Sequence, residues 1–121
     1  MLSKTVGLAD VIREALNGIK SKIDFAIVYG SIATGTERSE SDVDLMIIGR
    51  TDLAELAPLL RVLEENLGRA VNVPVYTTNE FQKKLREKNH FLSSVMKTEL
   101  IFVIGTADDL ARLVKRAARA G

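Results

Sequence analysis

Asp42 and Asp44 stand one residue apart at the entrance to an apolar run, Met46-Ile47-Ile48, within a stretch that reads GSIATGTERSESDVDL from Gly30 to Leu45. Successive strand side chains point to opposite faces, so both carboxylates project to one side while Val43 and Leu45 face the other. Like charges held that close repel, and a hard divalent cation such as Mg²⁺, which takes carboxylate and phosphate oxygens, removes the conflict. The other end of the stretch suits the phosphates. There the run Phe25-Ala26-Ile27-Val28-Tyr29 ends in Gly30-Ser31. Glycine lets a backbone approach a ligand closely, a serine hydroxyl donates, and a helix beginning near Ser31 aims free N–H groups at an anion. Gly30 and Ser31 therefore read as a triphosphate clamp, and Asp42 and Asp44 as metal ligands.

A bare Asp-x-Asp occurs in many loops. Joined to a preceding strand, Gly-Ser-x-Ala-x-Gly and an acidic, polar spacer, it is far more specific. On Gly30, Ser31, Ala33, Gly35, Ser41, Asp42, Asp44 and Leu45 the sequence resembles the signature of minimal nucleotidyltransferases of the DNA polymerase beta-like superfamily. The resemblance implies that the Gly-Ser turn holds nucleotide phosphates and that Asp42 and Asp44 are the catalytic ligands of two Mg²⁺ ions. It also implies a third carboxylate on the strand after the long helix, where this chain has Asn72. An amide lends one neutral oxygen and cannot act as a base, so the second ion is expected to be held weakly. Val-Asn-Val-Pro at Val71–Pro74, with the Tyr, Glu-Phe and His-Phe-Leu segments that follow, resembles a branch that carries the same asparagine and is often fused behind a winged-helix DNA-binding domain. Residues 1–121 hold no counterpart of that half.

At 121 residues the chain is read as one domain, able to bury roughly two-thirds of its unfolded surface in a single core. Its net charge of +1 gives no global case for binding nucleic acid or a membrane, so direct nucleic-acid binding is not expected. The absence of cysteine excludes disulfides and thiolate metal sites. No apolar run approaches the ~18 residues that span a bilayer, and residues 1–20 lack the core of a signal peptide, so the expected compartment is the cytoplasm.

The elements that must position the site follow from periodicity. Leu8, Val11, Ile12, Ala15, Leu16 and Ile19 predict a first helix, frayed near Gly18. Ile23 to Tyr29 is almost continuously apolar, hence a central strand buried on both faces. Asp42 to Ile48 is the next strand. Thr51 is read as the N-cap of a helix over Asp52–Leu67, which Pro58 should kink or restart near Ala57, with Gly68 at its left-handed end. Arg69 to Tyr76 predicts a third strand with Val71, Val73 and Val75 on one face and Asn72, Pro74 and Tyr76 on the other; Pro74 argues for an edge. Thr77 and Glu80 form a capping-box signature for a helix to about Glu87. A short helix over Asn89–Lys97, with Phe91, Leu92, Val95 and Met96 inward, a strand over Leu100–Ile104 and a helix over Ala107–Ala118 complete the chain. The fold class is α+β, a mixed sheet packed on helices, which agrees with the nucleotidyltransferase fold the resemblance implies.

Other residues carry blander readings. His90 reads as a cap or packing residue, Tyr76 as an edge-strand tyrosine, and the basic runs Lys83-Lys84-Arg86-Lys88 and Lys115-Arg116-Arg119 as solvated helix faces. Arg38 and Arg50 flank the loop and strand without selecting between phosphate contact and solubility. For Asn72, a residual ligand role and an amide that satisfies backbone groups stand side by side. Three functional readings follow. The first is metal-dependent transfer of a nucleoside monophosphate, AMP foremost, from a triphosphate, ATP foremost, to a hydroxyl on a protein or small molecule. The second is a catalytically weakened nucleotide- or partner-binding module, antitoxin-like; the resemblance implies a HEPN-domain partner for either. The third is the effector half of a split transcription factor. The edge near Pro74 offers a route to a homodimer.

Overall fold

A computed structural model describes residues 4–36 and 41–120. Its strands are β1 (Ile23–Tyr29), β2 (Val43–Gly49), β3 (Val71–Asn72), β4 (Val75–Tyr76) and β5 (Ile101–Ile104). β1 and β2 pair antiparallel at the centre, with Tyr29 opposite Asp44. β5 adds antiparallel to β1, while β3 and β4 lie parallel to β2 on the other side. The sheet is mixed, as expected. The apolar runs are central because both faces of each must be covered.

Ala26, Val28, Val43, Leu45 and Ile47 face a helical layer of α1 (Lys4–Ala15) and α3 (Leu53–Leu67), which contributes Ile12, Leu56 and Leu63, with Leu16 just beyond α1 beside them. Phe25, Ile27, Tyr29, Met46 and Ile48 face the opposite layer of α4 (Thr78–Arg86), α5 (His90–Met96) and α6 (Ala107–Ala120), which supplies Phe81, Leu92, Val95, Leu110 and Leu113. Each large apolar side chain fully buried this way contributes about 1.5–3 kcal/mol. Polar side chains on β2 are therefore confined to its entrance. Between β1 and β2 lies α2 (Ser31–Thr34), a single turn. No helix among the described residues is long and apolar enough to cross a membrane.

In its elements the structure departs from several of the expectations. The first helix stops at Ala15, and Asn17–Lys22, with Gly18 inside it, continues as a 3₁₀ segment that delivers the chain to β1. The cap of α3 is Asp52, whose carboxylate accepts from Glu55 N at 2.8 Å, whereas the Thr51 hydroxyl donates to the Glu55 carboxylate at 2.6 Å. Pro58 sits inside an unbroken α3. The missing N–H is tolerated because fully buried Leu56 and Leu63 pin the helix to the sheet on either side of it, and tertiary packing outweighs local propensity.

The third strand is divided into β3 and β4. Pro74 has no N–H to offer, though its carbonyl still accepts from Ile47 N at 3.0 Å. Its edge position and the split of its side chains between two faces are as expected. Val71, Val73 and Val75 pack on the α1–α3 layer and Tyr76 on the other. At the opposite edge, Arg13 Nε donates to the Val103 carbonyl at 3.1 Å. Gly68 ends α3 at φ 67°, and the capping box of Thr77 and Glu80 is formed in both directions.

Candidate active site

The site lies where the end of β1, the start of β2 and the end of β3 meet. Parallel pairing sets Asn72 directly beside Asp44 and Val71 beside Val43. Asp42 falls one residue before the strand rather than in it, yet keeps the face of Asp44. The Asn72 amide nitrogen donates to Oδ2 of Asp42 and to Oδ1 of Asp44, each at 3.3 Å. The asparagine thus stands as a donor between the two carboxylates.

Long-range contacts fix the entrance to β2. Val43 N donates to the Ala70 carbonyl at 2.9 Å, Arg69 Nη1 to the Ser41 carbonyl at 3.1 Å, and Val71 N to Oε2 of Glu64 at 2.8 Å. No sequence signal marks Arg69, whose partner lies 28 residues back along the chain, or Glu64, which reaches past the end of α3 to the strand entrance seven residues on. Residues 37–40, and Arg38 with them, lie outside the described residues.

Gly30 supports Asp44 from the other side. Its backbone, at φ 76° and ψ −154°, is in a region essentially reserved for glycine. A Cβ there would lie against Oδ2 of Asp44, well inside contact distance. Ser31 opens α2, where a helical turn leaves its first N–H groups without carbonyl partners. Gly30 and the adjoining Ser31 are accordingly brought beside Asp44.

Tyr29 closes the inner wall. Burial pushes its phenol up to about 12, with the charge of Asp44 and the neighbouring Tyr76 adding to the effect. In the unfolded chain the same phenol loses its proton near 10. This group therefore favours the folded state fully below pH 10, and the advantage disappears as pH rises through 12, at most about 2–3 kcal/mol. Titration of the tyrosinate absorbance should show Tyr29 ionising about two pH units late, a transition missing from Tyr29→Phe. At neutral pH Tyr29 is a hydroxyl and not a base.

Phe91 meets the Tyr29 ring edge-on, with centroids 5.7 Å apart and planes at 76°. It is 39% exposed, so the helix-face pattern placed it too deep in the core. His90 is exposed at the first position of α5, whose cap is Asn89. Tyr76 packs against Phe81 with centroids 6.4 Å apart, as an edge-strand tyrosine should. Arg50 follows the far end of β2, roughly 20 Å from Asp44 by strand rise, and is remote from the carboxylates. Lys83 and Arg86 are exposed on α4 and Lys115, Arg116 and Arg119 on α6, whereas Lys84 is half-buried and Lys88 lies in the turn after α4; Lys83 is within reach of Glu87.

Among the described residues, no set of three His, Cys, Asp or Glu side chains converges where a metal ion could sit. Two adjacent carboxylates at an accessible strand entrance still offer the hard oxygens that suit one Mg²⁺ ion.

The profile of the family described as Polymerase beta, Nucleotidyltransferase matches residues 12–103. A Methanocaldococcus jannaschii protein that carries the name protein adenylyltransferase is 34% identical over 83 residues, covering 65% of this chain and 83% of its own length. Among solved structures, a chain of a toxin–antitoxin complex with AMP-PNP is similar at a TM-score of 0.66 and 19% identity, over 93% of this chain and 85% of that one. A chain from the complex of tri-AMPylated Shewanella oneidensis HEPN toxin with MNT antitoxin gives a TM-score of 0.62 at 16% identity, over 96% and 85%. At these identities the structural likeness is one of fold.

Proposed function

Since the chain belongs to the polymerase beta nucleotidyltransferase family, we propose that it transfers AMP from ATP to a hydroxyl group on a protein, with Asp42 and Asp44 as its metal ligands. The observation that carries this reading is the convergence of Asp42, Asp44 and Asn72 beside the Gly30-Ser31 turn. The name of the archaeal relative supports the adenylyl group and the protein acceptor. A HEPN-domain partner is supported by the AMPylated HEPN toxin of the structural neighbour.

Each residue has a task that its position allows. Gly30 leaves room for a phosphate against the backbone, and Ser31 offers a hydroxyl and the start of a helical turn. Asp42 and Asp44 would hold Mg²⁺, which supplies, when bound, neutralisation of the triphosphate and the leaving pyrophosphate and a more acidic attacking hydroxyl. Asn72 takes no proton, so among these side chains the proton of the acceptor hydroxyl can pass only to Asp42 or Asp44. Tyr29 stays protonated beside them.

A second reading has its own observation. The Asn72 amide already donates to one oxygen of each carboxylate, which suits a catalytically weakened module that binds a nucleotide or a partner. Calorimetric titration with each nucleoside triphosphate, with and without Mg²⁺, tests both. The expected result is binding of ATP that requires the ion. ATP binding without any transfer to a co-purified HEPN-domain partner would favour the module, and no binding of any triphosphate would refute the enzyme reading.

A further inference from the structure

The Asn72 amide nitrogen lies within donating distance of two carboxylate oxygens, 3.3 Å from one on Asp42 and 3.3 Å from one on Asp44. The reversed amide would set its carbonyl oxygen against two anionic oxygens, so the hydrogen bonds fix the orientation. Asn72 therefore stands toward the pair as a cation would, offering partial positive charge to both. The β2–β3 register and the anchors at Arg69 and Glu64 hold it there.

We infer that Asn72 is a positioning residue that limits this site to one divalent cation and, in the ion-free protein, occupies the oxygens that the ion must take. The inference rests on the reading of Asp42 and Asp44 as metal ligands. Two carboxylates balance the charge of one divalent ion. A second ion needs further anionic oxygens, and no third acidic side chain among the described residues joins this pair. The amide turns its nitrogen toward the pair and its oxygen away, so it competes with the ion instead of ligating it. An aspartate at 72 would reverse both effects. Three carboxylates would crowd the ion-free site, and their added charge would hold a second ion.

Calorimetric titration of the metal-free protein with Mn²⁺ alone, paired with thermal unfolding, separates the outcomes without relying on activity. The parent should bind one ion. Asn72→Ala should also bind one, several-fold more tightly, because no hydrogen bonds have to be displaced, and its ion-free Tm should fall slightly. Asn72→Asp should bind two ions, with a lower ion-free Tm that Mn²⁺ restores. Two ions on the parent, or weaker binding by Asn72→Ala, would overturn the inference, since the amide would then be a ligand. No ion on either the parent or Asn72→Asp would remove the metal reading of Asp42 and Asp44 itself, a result distinct from the other two.

Discussion

Asp44→Asn should reduce nucleotidyl transfer to background, on the order of 10³-fold or more, while leaving the protein at least as stable as its parent. Removing one electrostatic group aimed at developing charge costs about 10²–10³-fold. In the proposed reading Asp44 also holds the ion, and it lies between the Gly30 turn and Asn72. The amide that replaces it keeps an acceptor oxygen for Asn72 and removes the repulsion with Asp42. Stability is therefore unchanged or raised as activity vanishes. Measuring label transfer from ATP alongside the Tm checks both halves. Activity that survived in Asp44→Asn would move the chemistry away from β2.

Gly30→Ala should lose activity on a similar scale and lose stability as well. The Gly30 backbone conformation costs a residue with a Cβ about 1–3 kcal/mol. The new methyl group would also meet the Asp44 carboxylate. The backbone on either side cannot move away, since Tyr29 is paired with Asp44 in the sheet and Ile32 is buried in the core. The Asp44 side chain must rotate out or the turn must open, and either movement dismantles the site. A loss of about 2 kcal/mol corresponds to a Tm lower by roughly 5–10 °C for a chain of this size. The two variants thus separate chemistry from scaffold. Asp44→Asn should be inactive and stable, Gly30→Ala inactive and less stable, and an active Gly30→Ala would mean that the turn tolerates a different path.

The contrast between local and long-range order explains where expectation and structure part. Pro58 was expected to kink or restart its helix, a prediction built on the ~3 kcal/mol that proline costs in isolation. Leu56 and Leu63 are buried on either side, and their packing outweighs that cost. Thr51 is the cap that the sequence suggests, but its hydroxyl donates to the Glu55 carboxylate and the side chain of the next residue, Asp52, takes Glu55 N instead. Phe91 fits the apolar stripe of α5 by spacing, yet the helix presents it at the rim of the sheet beside Tyr29. For Pro58 and Phe91 the local pattern is real, and packing against residues distant along the chain decides the outcome.

The place of Asn72 beside the aspartates was implied by the family resemblance, whereas the sequence by itself determined the two long apolar strands, the Gly30-Ser31 turn and the shared face of Asp42 and Asp44. These follow from alternation, from continuous apolar runs and from the conformational freedom of glycine, all of which act within a few residues. Only the tertiary structure decided that the Asn72 nitrogen faces both carboxylates, that Arg69 and Glu64 brace the strand entrances, and that Arg50 lies at the wrong end of β2 to take part. The physical reason is that a hydrogen bond across 28 or 30 residues depends on strand register, and register is set by the packing of both sheet faces together.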